Sequence, residues 1–334
     1  MAAIRDVARL AGVSTTTVSH VINGTHYVSE PLRERVLDAM RQLNYRPSTI
    51  ARSLRTKATH SIGLMVSDIE LPFFATLARG VQDASAERGR TVILCNTDEA
   101  PDKEATYLNM MWGKRVDGLI IAPTGANGEL LSNMQSSGMP IVLVDRRCPG
   151  LAAPLVGIEN RRAACEGTRY LIELGHRRIG LIAGLSHVST IAERVAGFRQ
   201  AYSEAGLDVD EELIRYSDSR PPGGRLRTGE FLSLEPPVTA IFATVSFLTL
   251  GALQVLRARG VGCPQDISVL GFDDPDWAGI SAPAVTCIRQ PSYDMGHRAG
   301  EVLARILDGS EPNGSNEILL QSELIVRDSV ARLT

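Results

Sequence analysis

Residues 4–24 read IRDVARLAGVSTTTVSHVING, and this stretch decides how the chain begins to fold. Ile4, Val7, Ala8 and Ala11 fall at i, i+3, i+4 and i+7, one face of a helix. Gly12-Val13 interrupts that period. Ser14 is a good N-cap for a second helix running to about Asn23. In it Val18, Val21 and Ile22 share a face, and Gly24 is placed to end it. A third helix is expected from Ser29-Glu30-Pro31, burying Leu32, Val36, Leu37, Met40 and Leu43. It stops before Pro47, because the residue preceding a proline avoids the helical region. Three short helices with a glycine-containing turn between the first two predict a helix-turn-helix unit.

With Val18, Val21 and Ile22 turned inward, Thr16, His20 and Asn23 point outward. Side chains of this kind reach base edges and phosphates from a helix lying in a major groove. The charge distribution agrees. Residues 1–60 hold nine Lys/Arg and four acids, a net of +5, whereas the whole chain carries −3 and the remainder therefore −8. A basic head on an acidic body points to a polyanion contacted by the head alone. An ordinary solvated face would explain the polarity, but neither the basic excess nor the geometry of the second helix. Next comes PSTIARSLRT, residues 47–56, whose apolar content is only Ile50, Ala51 and Leu54. An isolated helix of about nine residues is marginal in water, so this segment reads as a linker or a helix formed only against a partner.

From residue 61 the texture changes. Apolar runs such as SIGLMVSDI, TVILCNTD, VDGLIIAP, PIVLVDR, RRIGLIAG, VTAIFAT and ISVLGFDD alternate with amphipathic stretches at 73–88, 101–115, 160–174, 191–205, 246–259 and 293–308. Strands apolar throughout and separated by helices predict parallel sheets covered on both faces. The series restarts near residue 160, which predicts two similar α/β lobes with a ligand at the carboxyl ends of the strands between them.

Other classes find little support. The 334 residues are 44% hydrophobic and 22% charged, enough for a large core, and no apolar run approaches the length of a membrane span. The opening MAAIRDVARL does not read as a secretory signal. Cys95, Cys148, Cys165, Cys263 and Cys287 are odd in number and far apart, with no zinc or disulfide spacing, which suits a reducing cytoplasm. No phosphate-binding loop, zinc-protease motif, nucleophile elbow or dinucleotide fingerprint is present. Asp273-Asp274 alone does not make an acid/base pair. No enzyme, cofactor or metal is expected.

The stretch IRDVARLAGVSTTTVSHVINGTHYVSEPLRERVLDAMRQLNYRPSTIARSLRT resembles the headpiece of the lac-repressor (LacI/GalR) family of bacterial transcription regulators. The resemblance continues through IGLMVSDIELPFF, LIELGHRRIGLIAG, ALQVLRARGVGCPQDISVLGFDD and VTCIRQPSYDMG, spanning essentially the whole chain. It implies an all-α helix-turn-helix headpiece at 1–46, a hinge helix and linker at 47–60, and a two-lobed core at 61–334 similar to periplasmic binding proteins. Lobe one would take about 61–160 plus 292–320, and lobe two about 161–291 plus the C-terminus. It also implies a cytoplasmic homodimer that represses from a palindromic double-stranded operator, switched by a small polar, sugar-like effector, with no membrane partner.

By position, Thr15, Thr16 and His20 match the family's base-reading residues; Thr15 rests on the resemblance alone. Ser14, Thr17, Asn23 and Tyr45 match residues near the phosphate backbone. Leu54 matches the leucine that wedges into the minor groove, flanked by Ala51 and Arg55. Phe73, Phe74, Arg146, Asn160, Thr190, Arg194 and Asp273 match effector-binding positions. One departure concerns the effector. Many relatives carry Asn-Asp where this chain has Val245-Ser246, and that Asp holds sugar hydroxyls. Ser246 at the effector site suggests a ligand with fewer hydroxyls than a free hexose, or an anionic one. Ser219 stands where purine-responsive relatives place an aromatic ring, which counts against a purine. The rival readings are a transport-type binding protein without a regulatory role, which the basic headpiece opposes, and an α/β hydrolase or kinase, which lacks a catalytic constellation.

Overall fold

The computed structural model describes residues 2–24, 26–45, 58–310 and 316–333. The chain divides into two compact units, Met1–Thr59 and His60–Thr334. The expected hinge residues Ala51, Leu54 and Arg55 lie outside the described residues.

The first unit contains α1 (Ile4–Ala11), α2 (Thr15–Asn23) and α3 (Glu30–Gln42). Its core is Val7, Ala8, Ala11, Val18, Val36 and Ala39, with Ile4, Val21, Ile22, Met40 and Leu43 packed against it. Gly12 adopts φ 65° between α1 and α2. A Cβ there would meet the Arg35 guanidinium at 2.7 Å, so both conformation and space call for glycine. That guanidinium in turn donates to the Ala11 carbonyl, tying α3 to the turn. Ser14 Oγ accepts the Thr17 N–H at 3.0 Å and caps α2. One expectation fails here, since Leu37 is 38% exposed. The inward stripe runs through Val36, Ala39, Met40 and Leu43, at i, i+3, i+4 and i+7, and Leu37 stands one step round the helix from it.

The second unit is built on two six-stranded sheets. The first holds β1 (Ser61–Val66), β2 (Thr91–Asn96), β3 (Gly118–Ile121), β4 (Ile141–Val144), β5 (Leu155–Ile158) and β11 (Glu317–Leu320). The second holds β6 (Ile179–Ala183), β7 (Ile214–Tyr216), β8 (Ala240–Ala243), β9 (Ser268–Phe272), β10 (Thr286–Arg289) and β12 (Glu323–Ile325). Their orders are β11-β5-β4-β3-β1-β2 and β12-β10-β9-β8-β6-β7. All neighbours pair in parallel except β12, which runs antiparallel to β10. The helices between strands are α4 (Pro72–Ala86), α5 (Pro101–Lys114), α6 (Gly128–Ser136), α7 (Asn160–Glu173), α8 (Ser189–Glu204), α9 (Pro221–Phe231), α10 (Ser246–Arg259), α11 (Asp276–Ile280) and α12 (Ser292–Leu307).

Interior strands are buried along their whole length, as in β3, β4, β6, β8 and β9. The edge strand β2 departs from full burial, with Leu94 39% exposed, because it has a neighbour on one side only. The chain passes between the sheets three times: from β5 into α7, from β10 into α12 and from β11 into β12. After the second crossing α12 packs along α4 and against β3, β4 and β5 of the first sheet. The α4–α12 contact is backbone to backbone. A Cβ on Gly80 would lie 2.2 Å from the Tyr293 carbonyl oxygen, and one on Gly296 would lie 2.0 Å from that of Leu77.

Candidate functional site

Two regions carry the expected site residues. On the first unit, Thr15 and Thr16 are exposed at the start of α2, free of the core. His20 is half-buried, its ring 4.4 Å from that of His26 between centroids. Ser14 and Thr17 are joined to each other through their hydroxyls at 2.9 Å. Asn23 donates from Nδ2 to the Ser19 carbonyl at 2.6 Å, so its amide is held against its own helix. Tyr45 packs on the headpiece core. Sequence reasoning passed over His26 and Tyr27, which follow the helix; Tyr27 is 93% exposed.

The second region is a recess in the second unit, lined entirely by loops at the carboxyl ends of strands and the helix starts that follow them. Asp68 follows β1, Asp98 and Glu99 follow β2, and Asp145 and Arg146 follow β4. From the second sheet come Ser219 after β7, Val245 after β8, Asp273 after β9 and Gln290 after β10. This is where parallel α/β sheets hold ligands, because the strand ends bring loops and helix N-termini together there. Five lining residues hold left-handed backbone: Asp98, Glu99, Asp145, Ser219 and Asp273, with φ of 54°, 55°, 69°, 61° and 72°. That conformation is unfavourable for non-glycine residues, and it concentrates where a loop must aim a side chain.

Phe73 and Phe74 open α4 after Pro72, edge to face with ring centroids 4.9 Å apart. Arg146 is buried. Its Nη1 donates to both Glu99 carboxylate oxygens at 2.8 and 2.9 Å, and its Nε to Asp145 at 3.0 Å. Burial works to strip its charge, but the two carboxylates outweigh this and hold its pKa above the usual arginine value. Arg194 reaches in from α8. It donates from Nε to Asn160 Oδ1 at 2.8 Å and from Nη1 to the Thr244 carbonyl at 2.7 Å, and no carboxylate bonds it directly among the described residues. Burial lowers its pKa, with Asp273 opposing.

Asp273 accepts Gln290 Nε2 at 2.6 Å, and the Ser246 backbone amide at the start of α10 favours its charged form. Burial pushes its carboxyl pKa up, and Arg194 pulls against that. The same bond fixes the Gln290 amide, whose Oε1 is buried with no hydrogen-bond partner among the described residues. Gln290 was not singled out as a site residue because β10 is four residues long and carries no alternating pattern.

Of the eight expected effector residues, Phe73, Phe74, Arg146, Thr190, Arg194 and Asp273 line the recess. Asn160 and Ser246 are buried beside it and are not among its lining residues. Asn160 sits behind Arg194 and orients it. Ser246 is 1% exposed, whereas its neighbour Val245 lines the recess. The residues missed, Asp68, Asp98, Glu99, Asp145, Arg220 and Gln290, shared one available signal: each stands within a few residues of a strand's carboxyl end. Among the described residues there is no cluster of metal-ligating side chains, and no helix is long and apolar enough to cross a membrane.

A family model described as bacterial regulatory proteins, lacI family, matches residues 3–48. Another, described as periplasmic binding proteins and sugar binding domain of the LacI family, matches residues 59–326. The chain is 38% identical to the HTH-type transcriptional repressor PurR of Photobacterium profundum, with 100% of both chains covered. It is 32% identical to the transcriptional regulator CelR in its cellobiose complex, at a TM-score of 0.75, over 98% of this chain and 100% of that one. It is 25% identical to the lac repressor dimer bound to operator and the anti-inducer ONPF, at a TM-score of 0.87, over 99% of each chain. The chain therefore belongs to the LacI family of bacterial regulatory proteins and is a DNA-binding transcriptional repressor with an effector-binding domain.

Proposed function

We infer that the protein acts in the cytoplasm as a homodimer on a palindromic operator, released or recruited by a small hydroxylated effector in the recess. Thr15, Thr16 and His20 read base edges from α2, with Ser14, Thr17, Asn23 and Tyr45 near phosphates. Leu54, flanked by Ala51 and Arg55, wedges into the minor groove at the operator centre. Phosphate contacts supply most of the affinity, so binding weakens steeply with salt. Dimerisation is in keeping with the exposed apolar side chains Ile280, at 87%, and Leu226, at 59%, on the second unit.

The observation that carries the effector reading is the composition of the recess. Six carboxylates line it against three guanidiniums, Arg146, Arg194 and Arg220. Arg146 is already neutralised by Glu99 and Asp145. An anion would meet an acidic surround with its basic groups engaged, so the anionic ligand that the sequence left open is disfavoured. What remains are acceptors at Asp273 and Gln290 and an apolar wall of Phe73, Phe74 and Val245. Such a site takes a neutral molecule with one hydroxylated edge and one apolar face. The cellobiose complex of the similar CelR is in keeping with this.

A thermal-shift series of neutral sugars, polyols, nucleosides and sugar acids tests it. A ligand that binds only the folded chain raises its melting temperature. The neutral hydroxylated compounds should include those that raise it and then alter a gel shift on the promoter beside the protein's own gene. Stabilisation by acids alone would refute the assignment. Ligand binding without any gel shift would favour the transport-type reading.

A further inference from the structure

We propose that Arg220 is a latch that ties the two lobes together across the mouth of the recess before any effector enters. Its Nη1 lies 2.9 Å from Asp68 Oδ2 and 2.7 Å from Glu70 Oε2. Arg220 follows β7 in the second sheet, whereas Asp68 and Glu70 follow β1 in the first, so both contacts cross from lobe to lobe. Both ends of the bridge are held in place by their own loops. Asp68 Oδ1 accepts the Glu70 backbone N–H at 3.0 Å, leaving Oδ2 for Arg220. On the other side Asp218 Oδ1 accepts the Arg220 backbone N–H at 3.0 Å, beside Ser219 with its left-handed φ of 61°.

The bridge differs from an ordinary surface pair. Asp68 is 6% exposed, so its carboxylate has given up most of its water and gains more from a cation than an exposed one does. Burial raises its carboxyl pKa, with the Glu70 N–H and Arg220 as the counterweights. Glu70, exposed on the rim, adds a second acceptor on the same nitrogen. Asp68 and Arg220 both line the recess, so the latch stands at its entrance. The lobes are joined by three chain crossings, an arrangement that permits hinge closure, and a bridge of this kind biases that hinge without ligand. The ligand-free repressor then favours the closed arrangement, and an effector acts by adding to or displacing Arg220.

The test is the inter-lobe distance in the full-length, ligand-free protein, read by electron paramagnetic resonance between spin labels at Glu129→Cys and Ser186→Cys. Glu129 opens α6 on the first lobe and Ser186 follows β6 on the second; both are exposed. Labelled chain is diluted into excess unlabelled chain so that distances within one protomer dominate. Native thiols interfere little: four are buried, and burial pushes the half-buried Cys263 up to about 12. We expect one narrow distribution for the parent. In Arg220→Ala a longer-distance component should grow about fivefold, the upper end of what a partly exposed ion pair contributes. Glu70→Gln, an exposed change without folding risk, should shift it in the same direction by less, as should about 0.5 M salt. Arg199→Ala, which removes an exposed pair with Glu211 within one lobe, is the control and should change nothing. Distributions unchanged in both Arg220→Ala and Glu70→Gln, or changed equally in the control, would overturn the latch. Either result leaves the effector reading untouched, because the measurement contains no ligand.

Discussion

The guanidinium carbon of Arg194 sits 3.6 Å from the centroid of the Phe272 ring, stacked on the last residue of β9. Phe272 is itself fully buried, so the cation lies on an aromatic floor rather than against a carboxylate. Its Nε is taken by Asn160 and its Nη1 donates to the Thr244 carbonyl. Arg194 thus joins α7, α8, β8 and β9 at one point while also lining the recess.

That junction makes Arg194→Ala doubly costly. Asn160 Oδ1 and the Thr244 carbonyl would lose their donor in a buried setting, worth about 2–4 kcal/mol of stability. Thermal unfolding should show the loss, and operator binding at a temperature where the variant is folded should no longer respond to effector. Arg194→Lys should fail to rescue, because an ammonium cannot stack on Phe272 while donating along both guanidinium directions. A lysine variant with parental stability and response would contradict this account.

Asp273 leads to a pH-dependent prediction. Its folded pKa is raised above the ordinary carboxyl value of 3.8, chiefly by burial. Between 3.8 and the raised value the folded chain holds a proton that the unfolded chain has released. Stability therefore falls as pH rises through that window and stays reduced above it. Asp273→Asn removes this penalty, keeps an acceptor for Gln290, and suits the left-handed φ of 72°. The variant should melt higher than the parent at neutral pH, with the difference shrinking as pH falls towards the ordinary carboxyl value. Effector response should weaken at the same time. A variant less stable than the parent at neutral pH would show that the carboxylate is net stabilising.

His20 should discriminate between bases rather than merely add affinity. His20→Ala is expected to cost about 1–3 kcal/mol on the preferred operator and little on random DNA. Competitive gel shifts on both DNAs measure the two numbers. Equal losses would place His20 on a phosphate.

The α4–α12 contact should tolerate no side chain at Gly296. A Cβ placed 2.0 Å from the Leu77 carbonyl forces the two backbones apart. Gly296→Ala should lower the melting temperature of the second unit by an amount equivalent to about 3 kcal/mol or more. Scanning calorimetry should show the main transition falling. A transition unmoved by the substitution would mean the helices separate at little cost.

Much of this architecture is written in local pattern. The α1–α3 helices follow from apolar spacing, Gly12 and Ser14, all readable because short-range capping and turn chemistry decide them. The interior strands announce themselves as unbroken apolar runs, whereas β7, β10, β11 and β12 each carry a charged residue within three or four positions. The recess is less legible. Phe73 and Asp273 stand beside clear strand or helix signals, but the partnering of Arg146 with Glu99 joins residues 47 apart and exists only once β2 and β4 are aligned. Asn160 and Ser246 illustrate the converse: a matching position does not reveal whether a side chain faces a cavity or props up its neighbour. Leu37 shows the limit of an apolar stripe read one position too wide.

The left-handed backbones at Asp98, Glu99, Asp145, Ser219 and Asp273 bear on how this repressor could be retuned to a new signal. At these five places a β-branched or bulky replacement would strain the loop before it met any ligand, so a randomised library there would return mostly misfolded clones. Asn and Gly are the substitutions such positions accept. Leu71, Phe73, Leu185, Val188, Ile191 and Val245 face the same space from ordinary backbone. Diversity for a biosensor is best placed at those six apolar positions, with the polar loops left as a fixed frame.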